Sequence, residues 1–217
     1  MPIVFVHNPR ARRYLLRVRR DGVARVTIPH GGSLSFARSF AERHTGWLER
    51  QLQRLAAGPV EPAPWRVGSE ILFRGQSVRI EGGEQPGMVQ FGSERLRVAA
   101  STQDLRAAIE KRLRSIAHRE LPTRVIEWAA VYQLNVTKIT IRNQKSRWGS
   151  CSRHGTISLN WRLIQTPESV LDYIVLHELM HLREMNHSKR FWREVENVCP
   201  DYKAAERWLK QHSKLLR

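Results

Sequence analysis

Cysteine is scarce in this chain. Cys151 and Cys199 are the only two in 217 residues, and neither sits in a CxxC pair. That argues against a disulfide framework and makes the reducing cytoplasm the expected compartment. Long apolar runs are missing too: no window approaches the roughly 18 apolar residues of a membrane span. The stretch Ile3 to Val6 ends at His7 and Arg10 and has no basic segment before it, so it is too short for the core of a signal peptide. No internal repeat or low-complexity tract suggests a solenoid or a disordered tail. Acidic residues are few, 20 Asp and Glu against 37 Lys and Arg, for a net charge of +17. Such a field attracts nucleic acid, anionic lipid or acidic protein without naming one of them. With 41% apolar and 26% charged residues the composition is globular. The length allows about one domain to one and a half, at roughly 150 residues each.

The first half reads as mostly β. Tyr14 to Arg19 and Val23 to Ile28 alternate around Arg20-Asp21-Gly22, the pattern of a hairpin. Apolar positions from Phe36 to Leu55 recur at helical spacing, predicting one helix over about 35–55 with Gly46 as a weak point. Gly58, Pro59, Pro62 and Pro64 make an extended linker of residues 56–64. Four short strands follow around Ile71, Val78, Val89 and Leu96. The character changes at Ala100. Ser101 and Asp104 form a capping pair, and Leu105, Ile109, Leu113 and Ile116 begin a helix that Pro122 should bend or restart. Val136 to Ile141 and Thr156 to Trp161 read as strands joined by a loop over 142–155. The expected organisation is an Arg-rich, mainly β region over 1–100 with one covering helix, and a compact second domain over 101–217.

The chemistry is concentrated in that second region. Thr166-Pro167-Glu168 reads as an N-cap, a first-turn proline and an acidic first turn. The helix it opens, through Val170, Ile174, Val175 and Leu179, is apolar nearly all round and should be buried. It nevertheless carries His177, Glu178 and His181, whose burial costs a few kcal/mol each unless they find partners. His177-Glu178-Leu179-Met180-His181 is HExxH. Residues four apart share a helical face, so both imidazoles can reach one zinc ion at about 2.0–2.1 Å. Glu178 lies about 100° round the helix, placed to act as a general base on water that the metal acidifies. A catalytic zinc takes three protein ligands and keeps a position open. His187 is the nearest candidate for the third, and a continued helix would point it away. Asn186 in a left-handed conformation and Ser188 as a new N-cap would turn the chain and aim His187 back.

The chain resembles the YgjP-like zinc metallopeptidases, relatives of SprT-like and minimal gluzincin-type proteases. The resemblance is carried by Lys145-Ser146-Arg147-Trp148-Gly149-Ser150-Cys151-Ser152, Leu159-Asn160-Trp161-Arg162-Leu163, the stretch from His177 to Ser188, and Cys199-Pro200-Asp201-Tyr202. It implies one zinc per chain held by His177, His181 and His187, with Glu178 as base. The six-residue step from His181 to His187 is also the metzincin step, but Glu184 stands where metzincins have glycine, so that label is rejected. In zincins a rim strand pairs with the substrate, and the similar segment is Thr156 to Trp161, with Asn160 as the expected substrate-facing group. Arg147, Arg183 and Tyr202 are candidate donors to the oxyanion. Trp148-Gly149-Ser150-Cys151 reads as a turn bracing the site rather than a nucleophile loop.

The sequence thus predicts an α+β fold, a β-rich N-terminal half followed by a zincin-like domain with an HExxH helix, hydrolysing peptide bonds through metal-activated water. Two rivals stand beside it. One is a nucleic-acid-associated protein whose basic half, with Arg10, Arg12, Arg13, Arg17, Arg19, Arg20 and Arg25, brings a protease to nucleic-acid-bound proteins. The other is a metal-dependent amidohydrolase acting on a non-peptide substrate.

Overall fold

The computed structural model describes residues 2–19, 21–57, 63–99, 101–213 and 215–216. The chain is α+β and divides into two compact units, Met1–Ala63 and Pro64–Arg217. The composition shift at residue 100 does not coincide with that division. Ile71, Phe73, Ile80, Val89 and Phe91 share a core with the helices that follow, so the second sheet belongs with the C-terminal part.

In the first unit, β2 (Leu15–Val18) and β3 (Ala24–Ile28) form the expected antiparallel pair. Arg20, part of the predicted turn, lies outside the described residues, as do residues 58–62 of the linker. The short apolar stretch near the start becomes β1 (Ile3–His7), which pairs parallel with β3 and makes the order β1-β3-β2. The predicted single helix is two, α1 (Leu34–Arg43) and α2 (Thr45–Ala56). The break falls at His44 rather than at Gly46. There the His44 ring meets the Phe40 carbonyl at 2.7 Å and the Thr45 hydroxyl donates to the Glu42 carbonyl at 2.6 Å. Side chains satisfy the last carbonyls, so the helix can stop and restart. Val26 and Ile28 pack on Ala37 and Ala41 of α1.

The second unit opens with a four-stranded antiparallel meander, β4 (Glu70–Phe73), β5 (Gln76–Gly82), β6 (Met88–Phe91) and β7 (Glu94–Arg97), as predicted. Next comes α3 (Arg106–Val131), which runs unbroken through Pro122. Ile109, Leu113, Ile116 and Leu121 before the proline and Val125 and Ala129 at or after it are buried on one face, and that burial outweighs the roughly 3 kcal/mol a mid-helix proline costs. Asp104, not Ser101, closes the start: its carboxylate accepts the backbone N–H groups of Arg106 and Trp65, both at 2.9 Å. These bonds hold the Asp104 carboxyl below its usual pKa.

A three-stranded sheet follows in the order β8-β10-β9. β8 (Lys138–Arg142) runs parallel to β10 (Thr156–Asn160), and β9 (Gly149–Cys151) is antiparallel to it. Sequence periodicity misses β9, because three small residues carry no alternation. Trp161 leaves the strand for a 3-10 turn, Trp161–Gln165. The long buried helix is α4 (Glu168–Met180), then α5 (Lys189–Val198) and α6 (Tyr202–His212). Thr166 does not cap α4. Its hydroxyl donates to the Leu163 carbonyl at 2.8 Å, and Pro167 occupies the cap position with extended backbone. Arg124 of α3 clamps α4 through Asp172 (2.5 Å) and Glu168 (2.7 Å), while the Trp128 indole N–H donates to Asp172 at 3.0 Å.

The tip between β4 and β5 reaches the start of α4. Arg74 and Gly75 donate their N–H groups to the carbonyls of Ile164 and Gln165. Gly75 has φ 80°, and a Cβ there would sit 2.5–2.8 Å from Pro167. Gly75→Ala combines left-handed strain with a backbone collision and is expected to lower stability by about 2–5 kcal/mol, read by urea unfolding. A loss under about 1 kcal/mol would mean the tip is not fixed on α4.

Candidate metal centre and its cleft

α4 and its C-cap present His177 and His181 one turn apart, with ring centroids 5.1 Å from each other. The corner after it returns His187, whose Nε2 lies 3.1 Å from His177 Nε2. The three donor nitrogens all lie within 4.8 Å of one another. In a tetrahedral zinc site the donors stand about 3.3 Å apart, close to the separation already present between residues 177 and 187. The corner is not built as the sequence suggests. Asn186 is not left-handed; among the described residues only Arg74 and Gln133 are non-glycine positions with positive φ. Instead the N–H groups of Leu182, Arg183 and Glu184 close back on the carbonyls of Leu179 and Met180, and Ser188 N–H donates to Asn186 O at 2.7 Å. These turns satisfy the helix end, so no left-handed residue is needed. Ser188 caps α5 as predicted, its hydroxyl accepting from Phe191 N–H.

Packing and hydrogen bonds prepare the imidazoles for a cation. His181 Nδ1 lies 3.1 Å from the Glu184 carbonyl, a contact that favours the tautomer with the Nε2 lone pair free. Burial, followed by the neighbouring His181 and His187, pushes His177 down to about 3. Burial also lowers His181. Both rings are therefore neutral near pH 7, the form that ligates. His177 Nδ1 is buried without a hydrogen-bond partner. Phe191, fully buried, wedges between the rings: it stacks on His181 at 4.4 Å and meets His177 and His187 edge-on at 4.9 and 4.8 Å. Trp192 adds ring contacts to His177 and His187 and stacks on Tyr202 at 5.5 Å. The role of Phe191 as the wall of this site depends on the corner that folds α5 back.

Glu178 is 6% exposed and lines the same cleft of about 430 Å³ as the three histidines. Burial raises its carboxyl to about 8, with Arg147 working in the opposite sense. β9 forms the facing wall. A Cβ on Gly149 would lie 2.5 Å from Glu178 Oε1, so the strand approaches the carboxylate as closely as it does because this residue has no side chain.

The other predicted site residues separate into two groups. Arg147 lines the cleft. Arg183 instead donates to Glu194 (2.9 Å) and to the Tyr132 carbonyl (3.1 Å), and Tyr202 lies in the aromatic stack between Trp192 and Tyr173. Asn160 is 2% exposed. Its amide donates to the Gln144 and Arg147 carbonyls at 2.8 and 3.2 Å, and its oxygen accepts from Arg162 N–H. It ties down the loop before β9 rather than facing the cleft. β10 is likewise the middle strand, paired on both sides, so it offers no edge to a substrate. The edge beside Glu178 belongs to β9.

A helix-borne histidine pair, a third imidazole and a buried carboxylate in one open cleft define a candidate metal-dependent hydrolase. A family model described as "YgjP-like, metallopeptidase domain" matches residues 12–212, and the chain belongs to that family. Two solved structures are similar over part of it. The metallopeptidase zymogen of Pyrococcus abyssi abylysin is 30% identical, covering 45% of this chain and 96% of that one with a TM-score of 0.39. The metallopeptidase zymogen of Methanocaldococcus jannaschii jannalysin is 30% identical, covering 44% and 97%, with a TM-score of 0.37. No curated protein matches the chain.

Cys151 on the edge strand also lines the cleft, but burial, then the Glu178 charge, push its thiol up to about 11. A raised thiol pKa keeps it protonated until alkaline pH. Its alkylation by iodoacetamide at pH 8 is expected to run about 100-fold slower than that of a free cysteine and to accelerate towards pH 11, followed at that site by mass spectrometry. Fast labelling at pH 8 would revive a thiolate nucleophile.

Proposed function

We propose that the protein is a zinc metallopeptidase that uses His177, His181 and His187 as metal ligands and Glu178 as general base. The observation that carries this reading is the convergence of His187 on the HExxH pair, 3.1 Å from His177 Nε2, in the cleft that Glu178 lines. The three imidazoles fit zinc by donor type and number, and they leave the open side of the cleft for a substrate carbonyl. When bound, zinc supplies a Lewis acid that polarises the scissile carbonyl and acidifies water.

The protein's own groups do the rest. Glu178 takes the proton from the attacking water and returns it to the departing amine, a two-way task suited to a carboxylate whose pKa burial has raised. Arg147, exposed at the cleft wall, is the candidate donor to the oxyanion; Arg183 and Tyr202 are spent elsewhere. An extended peptide lies along the free edge of β9, paired through main-chain groups, which gives affinity with little side-chain selectivity. Ile174, Met185 and Trp148 line the cleft as apolar contacts. Cys151 and Cys199 are free thiols, consistent with work in the cytoplasm.

The test is elemental analysis of purified protein beside a Glu178→Gln variant, each assayed on a peptide library and on small non-peptide amides. About one zinc per chain is expected in both, with peptide cleavage in the wild type reduced at least 100-fold in the variant. Cleavage confined to the small amides would replace the peptidase reading, and full turnover in the variant would remove Glu178 from its role.

Gly149 offers an independent check. Gly149→Ala forces the flexible Glu178 carboxylate aside while leaving the three imidazoles in place. Turnover is expected to fall about 100-fold with metal content and melting temperature nearly unchanged. Unaltered turnover would show that the carboxylate does not need its observed position.

A further inference from the structure

The three-stranded sheet of the first unit has one covered face and one open one. Ala24, Val26 and Ile28 are fully buried, Val26 and Ile28 against α1, so strand alternation sends Arg25 and Thr27 to the opposite face. In the register of β2 and β3, Arg17 stands directly across from Arg25, and Leu15 across from Thr27. Both arginines are exposed, and neither has an ion-pair partner among the described residues. Like charges directly opposed on an antiparallel pair are destabilising. The strands β1, β2 and β3 contain no acidic residue to relieve them. Arg19, just past the end of β2, continues the row and is held by Asp21 at 3.1 Å. A groove of about 580 Å³ runs over this face, lined by Asn8, Leu15, Arg17, Arg25 and Thr27 among others. The loop beginning at Asn8 adds exposed Arg10, Arg12 and Arg13.

We propose that this open sheet face, centred on the opposed Arg17 and Arg25, binds a single strand of nucleic acid through its phosphates. The first unit holds eleven arginines and no lysine in residues 1–63, against four acidic residues. Guanidinium groups match phosphate in paired hydrogen bonds, which lysine cannot do. Two of them a strand-width apart can grip one phosphodiester, and Arg19, about 7 Å further along the chain from Arg17, reaches the next. Asn8 and Thr27 supply neutral polar groups for sugar and phosphate oxygens. Val4, 46% exposed on the neighbouring strand, and Leu15 offer apolar surface between the charges. An acidic peptide is the weaker fit, because extended peptides are recognised at a sheet edge through main-chain pairing, whereas these arginines project from the flat face.

The test uses the full chain and a fluorescein-labelled oligothymidylate of about 20 nucleotides, followed by anisotropy across a salt series. Arg17→Glu with Arg25→Glu is expected to weaken binding more than about tenfold, while the same charge change placed on the helices, Arg38→Glu with Arg54→Glu, costs less than about threefold. The milder pair Arg17→Gln with Arg25→Gln, which guards against a folding defect in the first variant, should flatten the slope of log K against log salt by about 1.4. Equal losses in the face and helix variants, no binding by the wild type, or displacement of the oligonucleotide by polyglutamate at equal charge would each overturn the proposal.

Discussion

Taking a helix that carries His177, Glu178 and His181 out of water costs free energy that its apolar residues must outweigh and its neighbours must reduce. α4 is enclosed by α3, β9 and the returning α5 and α6, and His177, Glu178 and His181 line one open cleft. Desolvation keeps the imidazoles neutral and raises the carboxyl. The same burial that makes the helix expensive therefore keeps His177 and His181 in the neutral form that could hold a metal. Phe191 completes the arrangement by filling the space between the rings, so the imidazoles are held by packing as much as by hydrogen bonds.

A second close approach shapes the opposite wall. β9 can run beside Glu178 because Gly149 has no side chain, and it stays there because Asn160 binds the carbonyls of the loop that leads into it. The 3-10 turn after β10 then meets the tip between β4 and β5, which fixes the start of α4. A chain of short contacts thus runs from the meander of residues 70–97 to α4. This explains why the meander belongs with the metallopeptidase core although its composition resembles the first unit.

The first unit follows another logic. Its small core needs only one face of the sheet, and the other face carries arginines whose mutual repulsion the fold itself does not relieve. Arginine concentrated where stability does not call for it is the surface feature that the peptidase chemistry leaves unexplained.

The site was legible in the sequence to the extent that it is local. HExxH places two imidazoles and a carboxylate by helical spacing alone, and Ser188 announces the new helix after His187, so the three histidines that converge could be named before any coordinates. The hairpin, the meander and the buried character of α4 were legible for the same reason, since each rests on a period of two or 3.6 residues. Tertiary structure decided what periodicity does not encode. It made β9 from three small residues because β10 was there to pair with, kept α3 whole through Pro122 because its face is buried on both sides of the proline, and turned Asn160 inward to hold a loop. It also divided the chain between Ala63 and Pro64, because a domain is defined by which residues share a core, and those contacts join residues far apart in sequence.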